Sequence, residues 1–226
     1  MGHVAVVGGC RAKAPVADLI LSNIAEGSIV KLNENGTPVE FYVAKHDYES
    51  ALNGPGRTLL VRKAVRVIDA WNTAFSNTYA SSTIDTWFNG TYKDLLDSSV
   101  KTAISTTKFY YTIGNENSTI TTISRAVFAL SMAELGGSYA NTNAEGTPLS
   151  IAGSLKIASD SNGNTTKQWT RTPTNPASSM VHVAILYEDG LTHSDMAKNQ
   201  GGYRPCFTLP STAKFDKDTM EFKGVA

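Results

Sequence analysis

Hydrolytic or group-transfer chemistry needs a nucleophile, a base within its reach and a third group that orients the base. The residues able to supply those parts are few in this chain and widely scattered. Its histidines are His3, His46, His182 and His193, and none stands in a nucleophile-elbow or metal-binding pattern. Its cysteines, Cys10 and Cys206, are far apart with no CxxC spacing, so neither a disulfide framework nor a zinc site is signalled. Two buried thiols are expected instead. Glu188-Asp189-Gly190 reads as the turn after a strand before it reads as an acid pair. Asp94 and Asp97 sit near a helix start, where the helix dipole already accounts for them. Val7-Gly8-Gly9 has neither the GxGxxG pattern nor the following Lys-Ser/Thr of a phosphate cradle. These residues predict a protein that is not an enzyme and uses no cofactor or metal.

Composition narrows the partners. The chain has 226 residues, with 20 Lys+Arg against 20 Asp+Glu. It lacks the surplus of cations that a general nucleic-acid binder or an anionic-membrane binder needs, and no apolar run approaches the length of a membrane span. Only 18% of residues are charged, whereas Thr, Ser and Asn number 25, 21 and 15. Such residues solvate a surface through hydroxyls and amides and favour turns over helix interiors. At the N-terminus, Arg11 and Lys13 follow the short apolar stretch instead of preceding it, so a secretory signal is not expected.

The elements that must carry these residues are short. Residues 14–24 predict a short helix, with Pro15 in its first turn. Residues 27–46 predict a β-hairpin around Asn35-Gly36, with Val39, Phe41 and Val43 on its buried face. A further strand is expected over 58–67. From Trp71 to Ile104 the pattern turns helical, with an N-cap near Ser82, a stop at Asn89-Gly90, and a second helix over 92–104. Short strands are expected over 106–113, 124–131, 154–159 and 181–190, with long loops over 135–150 and 160–180. Early strands, central helices and later strands predict an α+β fold.

Two signatures carry a resemblance. Gln168-Trp169-Thr170-Arg171-Thr172-Pro173 and Gly202-Tyr203-Arg204-Pro205-Cys206-Phe207-Thr208-Leu209-Pro210-Ser211-Thr212 resemble the W-x-R-S/T-P and G-x-R-P-x-x-x-L-P-S-T signatures of a domain family of gut bacteria and their prophages. Further matches lie at residues 27–41 and 82–89, so the likeness covers about residues 25–215. It implies a C-type-lectin-like fold with short antiparallel strands, two central helices and long loops. It also implies a phage or prophage virion surface protein, either a tail-associated adhesin or a decoration subunit of the capsid or tail. The implied partners are other virion subunits and a host-surface glycan or protein, with no nucleic acid and no membrane insertion, in an oligomer within the particle.

In such proteins the interval between the Asp-Gly turn and the Arg-Pro motif meets the partner. Carried across, that interval is the loop from Leu191 to Gly201. The expected contact residues are Tyr187, Thr192, His193, Ser194, Asp195, Lys198, Asn199 and Gln200. Relatives crowd this loop with Tyr and Trp, which are absent between Leu191 and Gly201 here, and that tilts the expectation towards a protein subunit over a glycan. Trp169, Arg171, Pro173, Arg204 and Pro205 are expected to be structural. The planar forks of Arg171 and Arg204 would hold carbonyls or carboxylates inside a loop-rich domain, with Trp169 filling the core beneath. Residues 1–24 would attach the domain to a neighbouring subunit, and residues 216–226 would form a tail. Alternative readings are an enzyme of the formylglycine-generating type on the same fold, which requires reactive cysteines placed together, and a bacterial cell-surface binding protein.

Overall fold

The computed structural model of the chain describes residues 17–139, 142–179 and 181–225. His3, the Val7-Gly8-Gly9 stretch, Cys10 and most of the expected attachment segment lie outside the described residues. The strands in chain order are β1 (Leu19–Ile20), β2 (Ile29–Glu34), β3 (Thr37–Lys45), β4 (Arg57–Arg62), β5 (Val67–Ala70), β6 (Thr107–Gly114), β7 (Asn117–Arg125), β8 (Ala158–Ser159), β9 (Thr165–Thr166), β10 (Gln168–Pro173), β11 (His182–Leu186), β12 (Thr192–Met196), β13 (Gln200–Tyr203), β14 (Cys206–Pro210), β15 (Ala213–Phe215) and β16 (Phe222–Val225). One sheet has the order β14-β4-β3-β2 and a second the order β12-β11-β10-β13-β5. Around them lie a small β1-β15-β16 sheet and the hairpins β6-β7 and β8-β9. The segment after residue 215 therefore adds a strand to the small sheet.

This architecture corrects the α+β, C-type-lectin-like expectation. Strand makes up 41% of the structure against 16% helix, and the arrangement is mainly β and sandwich-like, without two central helices. The reason is visible between Thr83 and Ala103. After the helical turn α1 (Ser50–Asn53), Ser82 does cap α2 (Thr83–Trp87), its hydroxyl accepting from the Asp85 amide at 3.2 Å. The backbone then passes through a π turn over Phe88–Tyr92 into α3 (Lys93–Leu95). Asn89 does not stop the helix, because its side chain is engaged elsewhere. It donates to the Val127 carbonyl at 2.9 Å and accepts from the Ala126 and Val127 amides. The helix breaks at Leu96 and Asp97 because the tip of the β2-β3 hairpin docks there. Asn35 N donates to Leu95 O, Asp97 N to Asn33 O, and Gly36 N to Asp97 Oδ1 at 2.8 Å. Only the short α4 (Ser98–Ala103) follows.

Other boundaries shift for similar reasons. The described part of the expected 14–24 helix is β1 followed by a 3-10 turn over Leu21–Asn23. Beyond β7, the chain expected as a strand over 124–131 gives its backbone groups to separate partners. Phe128 pairs with Cys206, Ala129 N donates to the Tyr79 hydroxyl, and Leu130 O accepts from Arg171 N. The expected strand over 154–159 is the helical turn α5 (Ala152–Leu155) plus β8, and the expected loop over 160–180 contains β9 and β10.

The β2-β3 hairpin forms as its sequence predicts. Asn35 and Gly36 both adopt positive φ, 49° and 75°, as a tight two-residue hairpin turn requires. Along β2, Val30, Leu32 and Glu34 are buried while Ile29, Lys31 and Asn33 are partly exposed, so one face enters the core. That core joins Phe41, Val43, Leu60 and Phe207 of the first sheet to Phe88, Tyr92, Ile185 and Tyr203.

The two larger sheets share a ribbon. Strands β5 and β13 pair antiparallel in one sheet, and their continuations β4 and β14 pair antiparallel in the other. Between Tyr203 and Cys206 one side of the ribbon has only Arg204 and Pro205, whereas the other side runs from Arg62 to Arg66, so the chain bulges at the crossing. Arg62 holds the bulge by donating to the Ala64 and Val65 carbonyls, and its guanidinium grips buried Glu34 at 2.8 and 3.2 Å. Next to this corner, β13 meets β10 in the one parallel pairing among the named strands, Gln168 opposite Gly202. A Cβ at Gly202 would lie 2.5 Å from the Lys167 carbonyl oxygen and 2.7 Å from Val65 Cγ1. Gly202→Ala should therefore destabilise the fold by about 1–3 kcal/mol through overpacking, read from the midpoint of urea unfolding. An unchanged midpoint would show that this junction has slack.

Candidate functional site

The two signature arginines occupy opposite environments. Arg171 is fully buried on β10, the middle strand of its sheet. Its Nε donates to the Tyr110 carbonyl at 2.9 Å, Nη1 to the Ala129 carbonyl at 2.9 Å and to Glu134 Oε2 at 2.7 Å, and Nη2 to the Glu145 carbonyl at 3.3 Å. The Glu145 carboxylate stands 3.7 Å from Nε, and the Phe109 ring lies 4.7 Å from the guanidinium carbon. Both acids are buried and fully engaged. Glu134 accepts from the Tyr48 hydroxyl at 2.5 Å and from the Ser131 amide at 2.8 Å. Glu145 accepts from the Thr112 amide and the Thr172 hydroxyl, each at 2.8 Å. Burial works to lower the Arg171 pKa, but the Glu134 and Glu145 charges outweigh it and raise it, so the guanidinium stays charged. Burial pushes the Glu145 carboxyl up, against the pull of Arg171 and the threonine donors.

The polar groups of this cluster are engaged with one another and with nearby backbone. Its donors and acceptors face one another, and no buried side-chain nitrogen or oxygen among the described residues lacks a partner. Thr172 also accepts from the Met132 amide at 3.0 Å, a contact that the serine usual in the related signature offers equally through its hydroxyl. Trp169 is 2% exposed, and Pro173 and Pro205 are buried. Sequence reasoning missed Tyr48, Glu134 and Glu145. The available signal was the placement of Glu134 between Ala133 and Leu135 in an otherwise apolar stretch.

Arg204 sits at the ribbon corner, 5% exposed. Its Nε donates to the Arg62 carbonyl at 2.7 Å, and Nη1 to the Leu155 carbonyl at 2.7 Å and to Gln168 Oε1 at 3.3 Å. No carboxylate among the described residues pairs with it.

The interval expected as a contact loop, Leu191 to Gly201, is instead mostly β-structure. Thr192–Met196 form β12, the edge strand beside β11, with His193 opposite Ile185 and Asp195 opposite Val183. A turn at 197–199 leads into β13. The structure brings four of the expected contact residues together, Tyr187, His193, Asp195 and Asn199, and adds Lys167. Tyr187 stacks on His193, centroids 4.1 Å apart and rings inclined by 22°. Lys167 Nζ lies 4.2 Å from the Tyr187 ring centroid and 3.9 Å from Asp195 Oδ2. Asp195 is fixed from its other side, accepting from the Met196 amide at 2.8 Å and from Asn199 Nδ2 at 2.6 Å. Thr192 and Ser194 alternate to the opposite face of the strand, where the Thr192 hydroxyl donates to the Ser138 carbonyl at 2.9 Å. Lys198 and Gln200 are exposed at the far turn, away from the ring pair. Lys167, just ahead of β10, is the member that sequence reasoning missed.

Groups with catalytic potential are otherwise engaged. The His46 ring contacts Thr58 Oγ1 and the Ile24 carbonyl, each at 2.9 Å. The Cys206 thiol is buried and donates to the Phe128 carbonyl at 2.9 Å, and burial together with the Glu134 charge pushes its pKa well up. Among the described residues no group of three or more His, Cys, Asp or Glu converges on a metal position. No helix among them is long and apolar enough to cross a membrane.

A family model described as "Domain of unknown function (DUF6273)" matches residues 55–211, a span that contains both signature arginines, Glu134, Glu145 and the β11-β12 hairpin. No curated protein and no solved structure matches the chain.

The state of Cys206 gives a direct check. In a Cys10→Ser background, native protein should react with a thiol reagent only at the rate of unfolding, with full reaction in denaturant. Fast reaction of the native thiol at neutral pH would contradict its burial and reopen a catalytic role.

Proposed function

Because the chain belongs to this domain family of unknown function, its role must be read from its own surfaces, and we propose that it is a non-enzymatic binding domain of a phage or prophage virion, displayed on the tail or capsid and docking on a neighbouring protein subunit. The resemblance of the two signatures supports the virion setting. The observation that carries the binding mode is the Tyr187-His193-Lys167-Asp195 face. It offers stacked rings and a carboxylate on an edge hairpin with a cation from the chain just ahead of β10, all partly exposed, whereas the charges of Arg171, Glu134 and Glu145 are paired inside.

Rings held by stacking lose little side-chain entropy on binding, so they anchor a contact at low cost, and a flanking ion pair adds direction. The face carries one cation and one anion, in keeping with a neutral chain whose contacts do not depend on bulk charge. A host-surface glycan is the alternative occupant, favoured by the same ring pair.

Purified particles probed with an antibody to this chain in electron microscopy should carry the label at defined positions. Tyr187→Ala combined with Lys167→Glu should reduce incorporation about tenfold while the variant still shows a cooperative thermal transition, since Tyr187 packs only at the edge of the core and Lys167 is partly exposed. Unlabelled particles would contradict the virion role. Full incorporation of the double variant would contradict the assignment of the face, and loss of cell attachment by fully incorporated particles would point to the glycan instead.

A further inference from the structure

Arg204 lacks what Arg171 has. Both side chains are buried, Arg171 completely and Arg204 to within 5% exposure, but two carboxylates surround Arg171 and none among the described residues pairs with Arg204. The Arg62 guanidinium, which carries the same sign, acts on it electrostatically. Burial and that neighbour lower its pKa to about 10. Three of its five N–H groups are engaged, one through Nε and two through Nη1. Nη2 has no hydrogen-bond partner among the described residues. Since no buried side-chain nitrogen is left unpartnered there, Nη2 must reach open space.

That space is a cleft of about 630 Å³ between β3, the ribbon corner and the β8-β9 hairpin, a size suited to a small organic molecule. The half-exposed Tyr42 ring forms one wall, its centroid 5.9 Å from the Arg204 guanidinium carbon, and Ile157, 50% exposed, forms the opposite rim. Ser159 and Ser161 supply hydroxyls. The cleft also holds two acids, and both are occupied locally. Glu40 is paired with Lys63 at 2.7 Å, and Asp160 accepts from the Asn162 and Asn164 amides of its own turn. Of the three cationic side chains that line the cleft, Arg62 pairs with Glu34 and Lys63 with Glu40, and Arg204 alone has no carboxylate among the described residues. A buried cation without a counter-charge is costly, and an incoming anion removes that cost while meeting a preorganised donor.

We propose that this cleft binds a small organic carboxylate, its carboxylate group accepting from Arg204 Nη2 and its body lying against the Tyr42 ring. A hydroxylated ring acid also meets Ser159 and Ser161, which makes D-glucuronate a suitable probe. The site is separate from the Tyr187 face and holds or falls independently of it.

Calorimetric titration of the whole chain with D-glucuronate, L-glutamate, acetate, D-glucose and inorganic phosphate tests the assignment. Saturable binding at one site by glucuronate or glutamate is expected, with about tenfold weaker binding of acetate and none of glucose or phosphate. Arg204→Lys keeps the charge and removes the fork, and should weaken binding about tenfold. Because Arg204 also holds three carbonyl or amide oxygens, a second variant is needed that leaves the fold intact. Ser161→Glu, at an exposed position on the rim, introduces a competing carboxylate and should weaken binding to a similar degree at an unchanged melting temperature. Failure of every carboxylate to bind at about 10 mM would overturn the proposal. So would binding unaffected by Ser161→Glu, or phosphate binding as tight as any carboxylate.

Discussion

Taking a guanidinium out of water is unfavourable by several kcal/mol unless charges and hydrogen bonds replace the lost hydration. At Arg171 that constraint organises the interior. The side chain leaves the most buried strand of the five-stranded sheet and reaches Tyr110 on β6, Ala129, Glu134 and the Glu145 backbone, three stretches of chain that share no sheet with β10. The irregular stretches 126–139 and 142–149 are thereby fastened over the sheet. Their backbone groups find partners in side chains and in distant carbonyls, not in a ladder, so a loop-rich region acts as core.

Arg204 works under the same constraint with a different outcome. It sits where a two-stranded ribbon turns from one sheet into the other, and it holds carbonyl and amide oxygens from Arg62, Leu155 and Gln168 across that corner. Arg62 supplies the matching grip from the other side of the ribbon and has Glu34 as its counter-charge, shared with the Tyr92 hydroxyl at 2.8 Å. The corner is thus geometrically complete but electrically open on the side of Arg204, which faces the cleft. A fold of this kind separates two roles: one arginine closes the interior, and the other positions a donor at the surface.

How far the sequence reveals this depends on how local the causes are. The β2-β3 hairpin is legible because Asn35-Gly36 and the alternation around Phe41 act within a few residues. The cap at Ser82 is legible for the same reason. The break in the helical run is not, because it is imposed by a hairpin tip some sixty residues earlier in the chain, through Gly36 and Asp97. Strand β12 escapes notice because all five of its residues are partly exposed, so no period-two pattern marks it and its Thr, His, Ser and Asp read as a loop. Of the site, Tyr187, His193 and Asp195 were visible as ring and charge near a turn. Lys167 and the acids around Arg171 were not, since pairing between distant residues leaves no local pattern.

The Arg171 charge cluster holds the stretches around Ala129 and Glu145 to the sheet. Urea unfolding of the wild type, Arg171→Met, Glu134→Gln and the double variant measures the coupling directly. A loss of about 3–5 kcal/mol is expected for Arg171→Met, which leaves Glu134 and Glu145 buried without their cation, with a coupling to Glu134→Gln of about 2 kcal/mol. Single losses below about 1 kcal/mol that add to within about 0.5 kcal/mol would contradict this role of the cluster.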